Sequence, residues 1–146
     1  MIIAATGTPR PTMYFVSVTR LRVKKMRHLP AFFWHSLRSA LQARRAPGNL
    51  HVGTLMDRRR VFWTLSVWQS EDDMRAFRNA DVHLRVMPKH ALWCDEAAYA
   101  HWSQEDSEPP GWMEAWERLV KDGVTSNVSE PSPEHETRNY PRPKAR

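Results

Sequence analysis

Apolar and polar positions change period several times along this chain, and each change marks an element. From Met13 to Thr19 the residues are Met-Tyr-Phe-Val-Ser-Val-Thr, aromatic and β-branched types that predict a first strand. The basic stretch Arg20 to His28 reads as the strand's end and a loop. Pro30 suits the first turn of a helix, where its missing N–H leaves no bond unmade. Phe33, Leu37, Ala40 and Leu41 then recur at helical spacing as the expected inward stripe, with Arg38, Gln42 and Arg45 facing elsewhere, until Pro47-Gly48 stops the helix. Leu50, Val52 and Thr54 alternate with Asn49, His51 and Gly53, which predicts a second strand. Asp57-Arg58-Arg59 is a turn and Val61 to Trp68 a third strand, so the two form a hairpin.

Ser70-Glu71-Asp72-Asp73 has the form of a capping box and opens a helix that carries Met74 and Phe77 inward. Asn79-Ala80-Asp81 interrupts it. Asp81 caps a second short segment with Val82, Val86 and Met87, which Pro88 should end or kink. Ala97 to Trp102 supplies the fourth strand. The order is β-α-β-β-α-β, an α+β ferredoxin-like arrangement. Pro109-Pro110-Gly111 then leads into an amphipathic helix with Trp112, Trp116, Leu119 and Val120 on one face, ended by Gly123. The chain thus divides into a flexible leader (1–11), the α+β domain (12–104), a C-terminal amphipathic helix (105–123) and an extended or disordered tail (124–146).

The third strand says most about assembly. Val61, Trp63, Leu65 and Val67 make one apolar face, expected under the two helices. Phe62, Thr64, Ser66 and Trp68 make the other, where aromatic rings left in water would each forgo roughly 2–3 kcal/mol of burial. A second copy of the sheet is the expected cover, closing a dimeric α+β barrel without exposed edges. The alternative cover is the C-terminal helix, with Trp112 and Trp116 as the plug.

Composition narrows the classes. The chain has 146 residues, 41% of them hydrophobic, enough for one domain with a core. No apolar run of roughly 18 residues occurs, and the first residues lack the pattern of a secretory signal. With Cys94 as the single cysteine, neither an internal disulfide nor a cysteine-based zinc site is expected, and the cytoplasm is the default compartment. The net charge of +6 permits weak attraction to nucleic acid or acidic lipid without specifying either. RNA-recognition domains share this element order, but Arg60-Val61-Phe62-Trp63-Thr64 lacks their glycine and spaced aromatics. The expected partners are a small molecule and a second copy, with no nucleic acid and no membrane.

Candidate chemistry is sparse. No metal-binding motif, Gly-rich phosphate loop or nucleophile elbow occurs, and no metal is expected. His83 lies one turn before Met87 on the same helix face and is the candidate general base, or else a polar rim residue. His35 reads as a surface residue. His101 alternates with Tyr99 on the fourth strand, where its phase is open. Cys94, beside Asp95 and Glu96, reads as a small buried residue, because the acidic pair opposes thiolate formation.

Phe32-Phe33-Trp34-His35-Ser36, Ala43-Arg44-Arg45-Ala46-Pro47-Gly48, Phe62-Trp63-Thr64-Leu65-Ser66-Val67-Trp68, and Trp93-Cys94-Asp95-Glu96-Ala97 through His101-Trp102 resemble an uncharacterised bacterial family. That family belongs to the dimeric α+β barrel superfamily and is related to antibiotic biosynthesis monooxygenases. The resemblance runs over most of Tyr14 to His135. The Trp-rich third strand also resembles that of spheroidene monooxygenases. Such relatives imply a homodimer and a cofactor-independent monooxygenase acting on a polycyclic or quinone-like substrate. The superfamily's haem enzymes imply the alternative, with His83 and then His101 as axial donor. Haem-degrading members carry a tryptophan and a histidine at the positions of Phe77 and Met87 here. The expected site is therefore His83 as proton shuttle, with Phe62, Thr64, Ser66, Trp68, Met87 and His101 around the substrate. Trp68 would stack on it, and Thr64 and Ser66 would donate hydrogen bonds. The non-enzymatic alternative is a binding or scaffolding dimer.

Overall fold

The computed structural model describes residues 13–80 and 88–144. Strand β1 (Tyr14–Val23) leads through a 3-10 turn into helix α1 (Leu29–Arg45). Strands β2 (Asn49–Asp57) and β3 (Val61–Trp68) form a hairpin, and α2 (Glu71–Arg78) follows. The chain is helical again over 88–93 (α3) and ends with β4 (Cys94–Gln104), α4 (Trp112–Asp122) and the two-residue β5 (Val124–Thr125). All pairings are antiparallel, in the order β2-β3-β1-β4-β5, so β1 sits between the hairpin and β4 as the ferredoxin-like order requires.

Local chemistry sets the boundaries. Ser70 caps α2, its Oγ accepting the Asp73 N–H at 3.1 Å, while Glu71, Asp72 and Asp73 face the positive end of the helix. After α1 the chain turns at Gly48, whose φ of +83° suits glycine, and a Cβ there would run into the Asp73 carboxylate. β1 is longer than expected: Arg20 and Arg22 belong to the strand, not to a loop.

Two further expectations change, and a third is not reached by the described residues. The inward residues of α1 are Phe32 and Ala43, not the Phe33/Leu37/Leu41 stripe, which is exposed. The stretch after Pro88 is helical, while the segment it was to end, with Val82, His83, Val86 and Met87, lies outside the described residues. The same holds for the leader. Residues 124–144 are docked rather than free: β5 pairs with β4, Ser132 N–H donates to Asp95 O at 2.9 Å, and His135 and Tyr140 are buried.

The two sheet faces are also exchanged relative to expectation. Val61, Trp63, Leu65 and Val67 pack with Val16, Val18, Ala98 and Ala100 against α4 and Tyr140. Trp112 stands 6.4 Å from Trp63, so α4 is a plug, but on this face rather than on the Phe62/Thr64/Ser66/Trp68 face. That other face lies under α1 and α2: Trp68 packs with Phe15, Val52, Ala43 and Met74, and Phe62 with Phe32, Val23 and Cys94. Small residues on the inner side of α1 let it approach the aromatic face, while α4 brings two tryptophans to the aliphatic one.

Candidate functional site

Strand register builds the site. On the face beneath α1 and α2, Thr54, Thr64, Thr19 and Tyr99 stand in one row across four strands. Val52, Ser66, Ser17 and His101 stand in the next. Antiparallel partners share a face, so five serines and threonines and two polar rings occupy the middle of a helix-covered sheet. From α1, Ser36, Ser39 and Ala40 lie on the same side of the helix as Phe32 and Ala43, and all three are half-buried. Small side chains face small side chains, and the middle of this face is less buried than its ends. Thr54 and Thr64 are exposed, and Ser17, Thr19, Ser66, Tyr99 and His101 are partly so.

Both ends of this strip are sealed. At one end Trp68 is fully buried, stacks on Phe77 at 5.3 Å and packs beside Phe15. At the other, Phe62 is clasped by Phe32 at 4.7 Å and by Phe33, edge-on, at 5.0 Å. The result is a cleft with a hydroxyl floor and aromatic ends, a composition that suits a flat, partly polar ligand.

Five of the seven site residues expected from the sequence have a place among the described residues. Phe62, Thr64, Ser66 and His101 meet in the cleft. Trp68 shares their face but offers no surface to a substrate; its indole N–H donates to Ser66 Oγ at 2.8 Å and leaves the Ser66 proton to point elsewhere. His83 and Met87 lie outside the described residues. Ser17, Thr19 and Tyr99 were not singled out from the sequence, although Ser17 and Thr19 alternate with Val16 and Val18, the period-two mark of a polar face.

His101 is held edge-on to Phe15 at 5.2 Å and against Tyr99 at 4.9 Å, beneath α2. Burial, with Arg78 and Arg75 adding to it against the pull of Glu71, holds its pKa below the ordinary 6.5. It is a neutral imidazole at pH 7, able to accept a proton. His35 is not a plain surface residue. Its ring lies 5.5 Å from that of Trp93, its Nδ1 is buried without a partner, and burial followed by Lys89 and Arg38 lowers its pKa. Burial and Asp95 push the Cys94 thiol up to about 12, which makes it inert.

The opposite face holds charge but no access. Arg20 Nη1 donates to Glu96 at 2.5 Å, and its guanidinium lies 3.9 Å from the Tyr140 ring centroid. Ser132 Oγ donates to the other Glu96 oxygen at 2.7 Å. Burial pushes the Glu96 carboxyl up, but the hydrogen bonds from Arg20 and Ser132 outweigh it and the group stays below its ordinary value. This cluster ties the tail to the sheet. A separate groove of about 520 Å³ between α1 and α2 is lined by Leu41, Pro47 and Phe77 among others, with none of the cleft hydroxyls in its lining.

Among the described residues no group of three His, Cys, Asp or Glu side chains is placed to hold a metal ion, and no helix is long and apolar enough to cross a membrane. A sequence family described as a domain of unknown function (DUF3291) matches residues 10–127. No curated protein matches the chain. Among solved structures, SnoaB, a cofactor-independent oxygenase from Streptomyces nogalater, is 17% identical with a TM-score of 0.55, over 66% of this chain and 98% of its own. An antibiotic biosynthesis monooxygenase is 11% identical with a TM-score of 0.54, over 65% and 99%. A conserved protein from Methanosarcina mazei is 14% identical with a TM-score of 0.57, over 63% and 93%. Likeness at these identities establishes the fold: a ferredoxin-like α+β domain of the kind found in antibiotic biosynthesis monooxygenases.

Proposed function

We propose, for a chain that belongs to the DUF3291 family, that it binds a flat hydroxylated polycyclic or quinone-like molecule in the cleft and oxygenates it without a bound cofactor. One observation carries the reading. The middle of the helix-covered sheet face is open and hydroxylated while both its ends are sealed with aromatic rings. The similarity to a cofactor-independent oxygenase supports it at the level of fold.

The chemistry follows from the residues. Ser17, Thr19, Thr64 and Ser66 hold the substrate's oxygens, and Phe62 lies against its apolar edge. His101, neutral in its buried setting, takes a proton from an activated CH₂ beside the ring carbonyl. The carbanion reduces O₂, a C–O bond forms, and the proton held by His101 passes to the peroxide to give a carbon hydroperoxide. His101 then takes the remaining C–H proton as the O–O bond breaks and returns it to the leaving hydroxide, so that CH₂ and O₂ become C=O and H₂O. His101 takes the base role expected of His83, which lies outside the described residues. No observation favours haem: Phe77, at the position of the haem-degrading relatives' tryptophan, is stacked on Trp68.

Oxygen uptake with a hydroxyanthrone tests the reading. One O₂ should be consumed per quinone formed, and His101→Ala should lower kcat by about 10²-fold or more. Tight binding without turnover would leave a binding protein instead, and an undiminished rate in His101→Ala would remove the proposed base.

A further inference from the structure

We infer that the outward face of α1 is an interfacial anchor that lays this chain on an anionic lipid surface. α1 has already buried one side, through Phe32 and Ala43. Its solvent side nevertheless carries Phe33, Trp34, Leu37 and Leu41, exposed by 42%, 59%, 54% and 41%. At 100° per residue these four fall on one arc, with Arg44 inside it and Arg38 and Arg45 along its edge. A folded helix gains nothing from a second apolar arc in water, so this one calls for an occupant beyond the described residues.

Charge selects the occupant. The sequence holds no Asp or Glu before Asp57. Among the described residues Arg38, Arg44 and Arg45 form no ion pair with a carboxylate, and all three are exposed. A second copy docked on this arc would set arginine against arginine. Anionic headgroups would satisfy them while Trp34 and the leucines enter the interface, and long arginine stems reach the headgroups from beside a half-sunk helix. Phe33 touches Phe62, so the anchored side adjoins one end of the cleft. This surface reading does not depend on the oxygenase chemistry, and its test uses no substrate.

The test is co-sedimentation of the full chain with vesicles of phosphatidylglycerol and phosphatidylcholine, compared with phosphatidylcholine alone. Binding should favour the anionic vesicles by about tenfold or more and weaken at about 0.5 M salt. The Trp34→Ser/Leu37→Ser double variant should lose about tenfold in binding while keeping its melting temperature, because both positions are exposed. Absence of binding to anionic vesicles at low salt would overturn the inference, as would full binding by the double variant. Self-association abolished in that variant, without lipid binding, would assign the face to a second copy instead.

Discussion

Successive residues of β3 enter two different worlds. Val61, Trp63, Leu65 and Val67 are sealed under α4 and the C-terminal residues, with an ion pair at 2.5 Å locked beside them. Phe62, Thr64 and Ser66 lie one peptide away and remain within reach of water. Both faces are covered, so coverage is not what separates them. Volume is. α4 brings Trp112, Trp116 and Leu119 to strands bearing Val, Leu and Trp, and the gap fills. α1 brings serines and an alanine to strands bearing Ser and Thr, and the middle of that face keeps its exposure. The sealed face should therefore carry stability and the open face ligand binding.

The largest effect is expected from deleting residues 111–146, which strips α4 and the docked C-terminal segment from the sealed face. The shortened chain should lose its cooperative thermal transition and aggregate, since Trp63, Leu65 and Val16 would meet solvent together. A soluble, cooperatively melting fragment would show that the two faces are not energetically distinct.

A smaller contrast compares single residues. Glu96→Ala leaves the Arg20 charge buried without its partner and should cost about 3–5 kcal/mol in urea unfolding. Thr64→Ala, on the open face, should stay within about 0.5 kcal/mol while weakening ligand binding. Equal costs at the two positions would erase the distinction.

The smallest effect is in pH. His101 titrates below 6.5 in the folded chain, so between 6.5 and its lower folded value the unfolded state binds more protons than the native state. Stability is full above 6.5 and declines as pH falls through that window, and His101→Gln should flatten the decline. In the oxygenase reading, kcat/KM should rise with pH through the same window and level off above it. Glu96 behaves in the opposite acid range: its contribution is present above 4.5 and is lost as pH falls through its lower folded value.

Much of this was legible in the chain. Period-two alternation gave β3 its bounds, the Ser70 box gave α2 its start, and Gly123 gave α4 its end. Of the cleft, Phe62, Thr64, Ser66 and His101 were visible, whereas Ser17 and Thr19 looked like ordinary strand residues. Alternation separates the faces of a strand but carries no sign that tells which face meets which helix, so the two faces of β3 were exchanged. The same ambiguity misplaced α1, where Phe32 and Phe33 both begin arcs at helical spacing and only one can point inward.

The sequence by itself determined the order of elements, because each depends on neighbours within a turn or a pleat. Tertiary structure decided what covers each face, that the proline-rich end is docked, and that Trp68 is buried with its indole N–H on Ser66. Those outcomes rest on contacts such as Ser132 with Glu96 and Arg20 with Tyr140, between residues far apart in the chain. No local period records such a pairing; it exists only once the layers have met and their volumes either fill the space between them or leave it open.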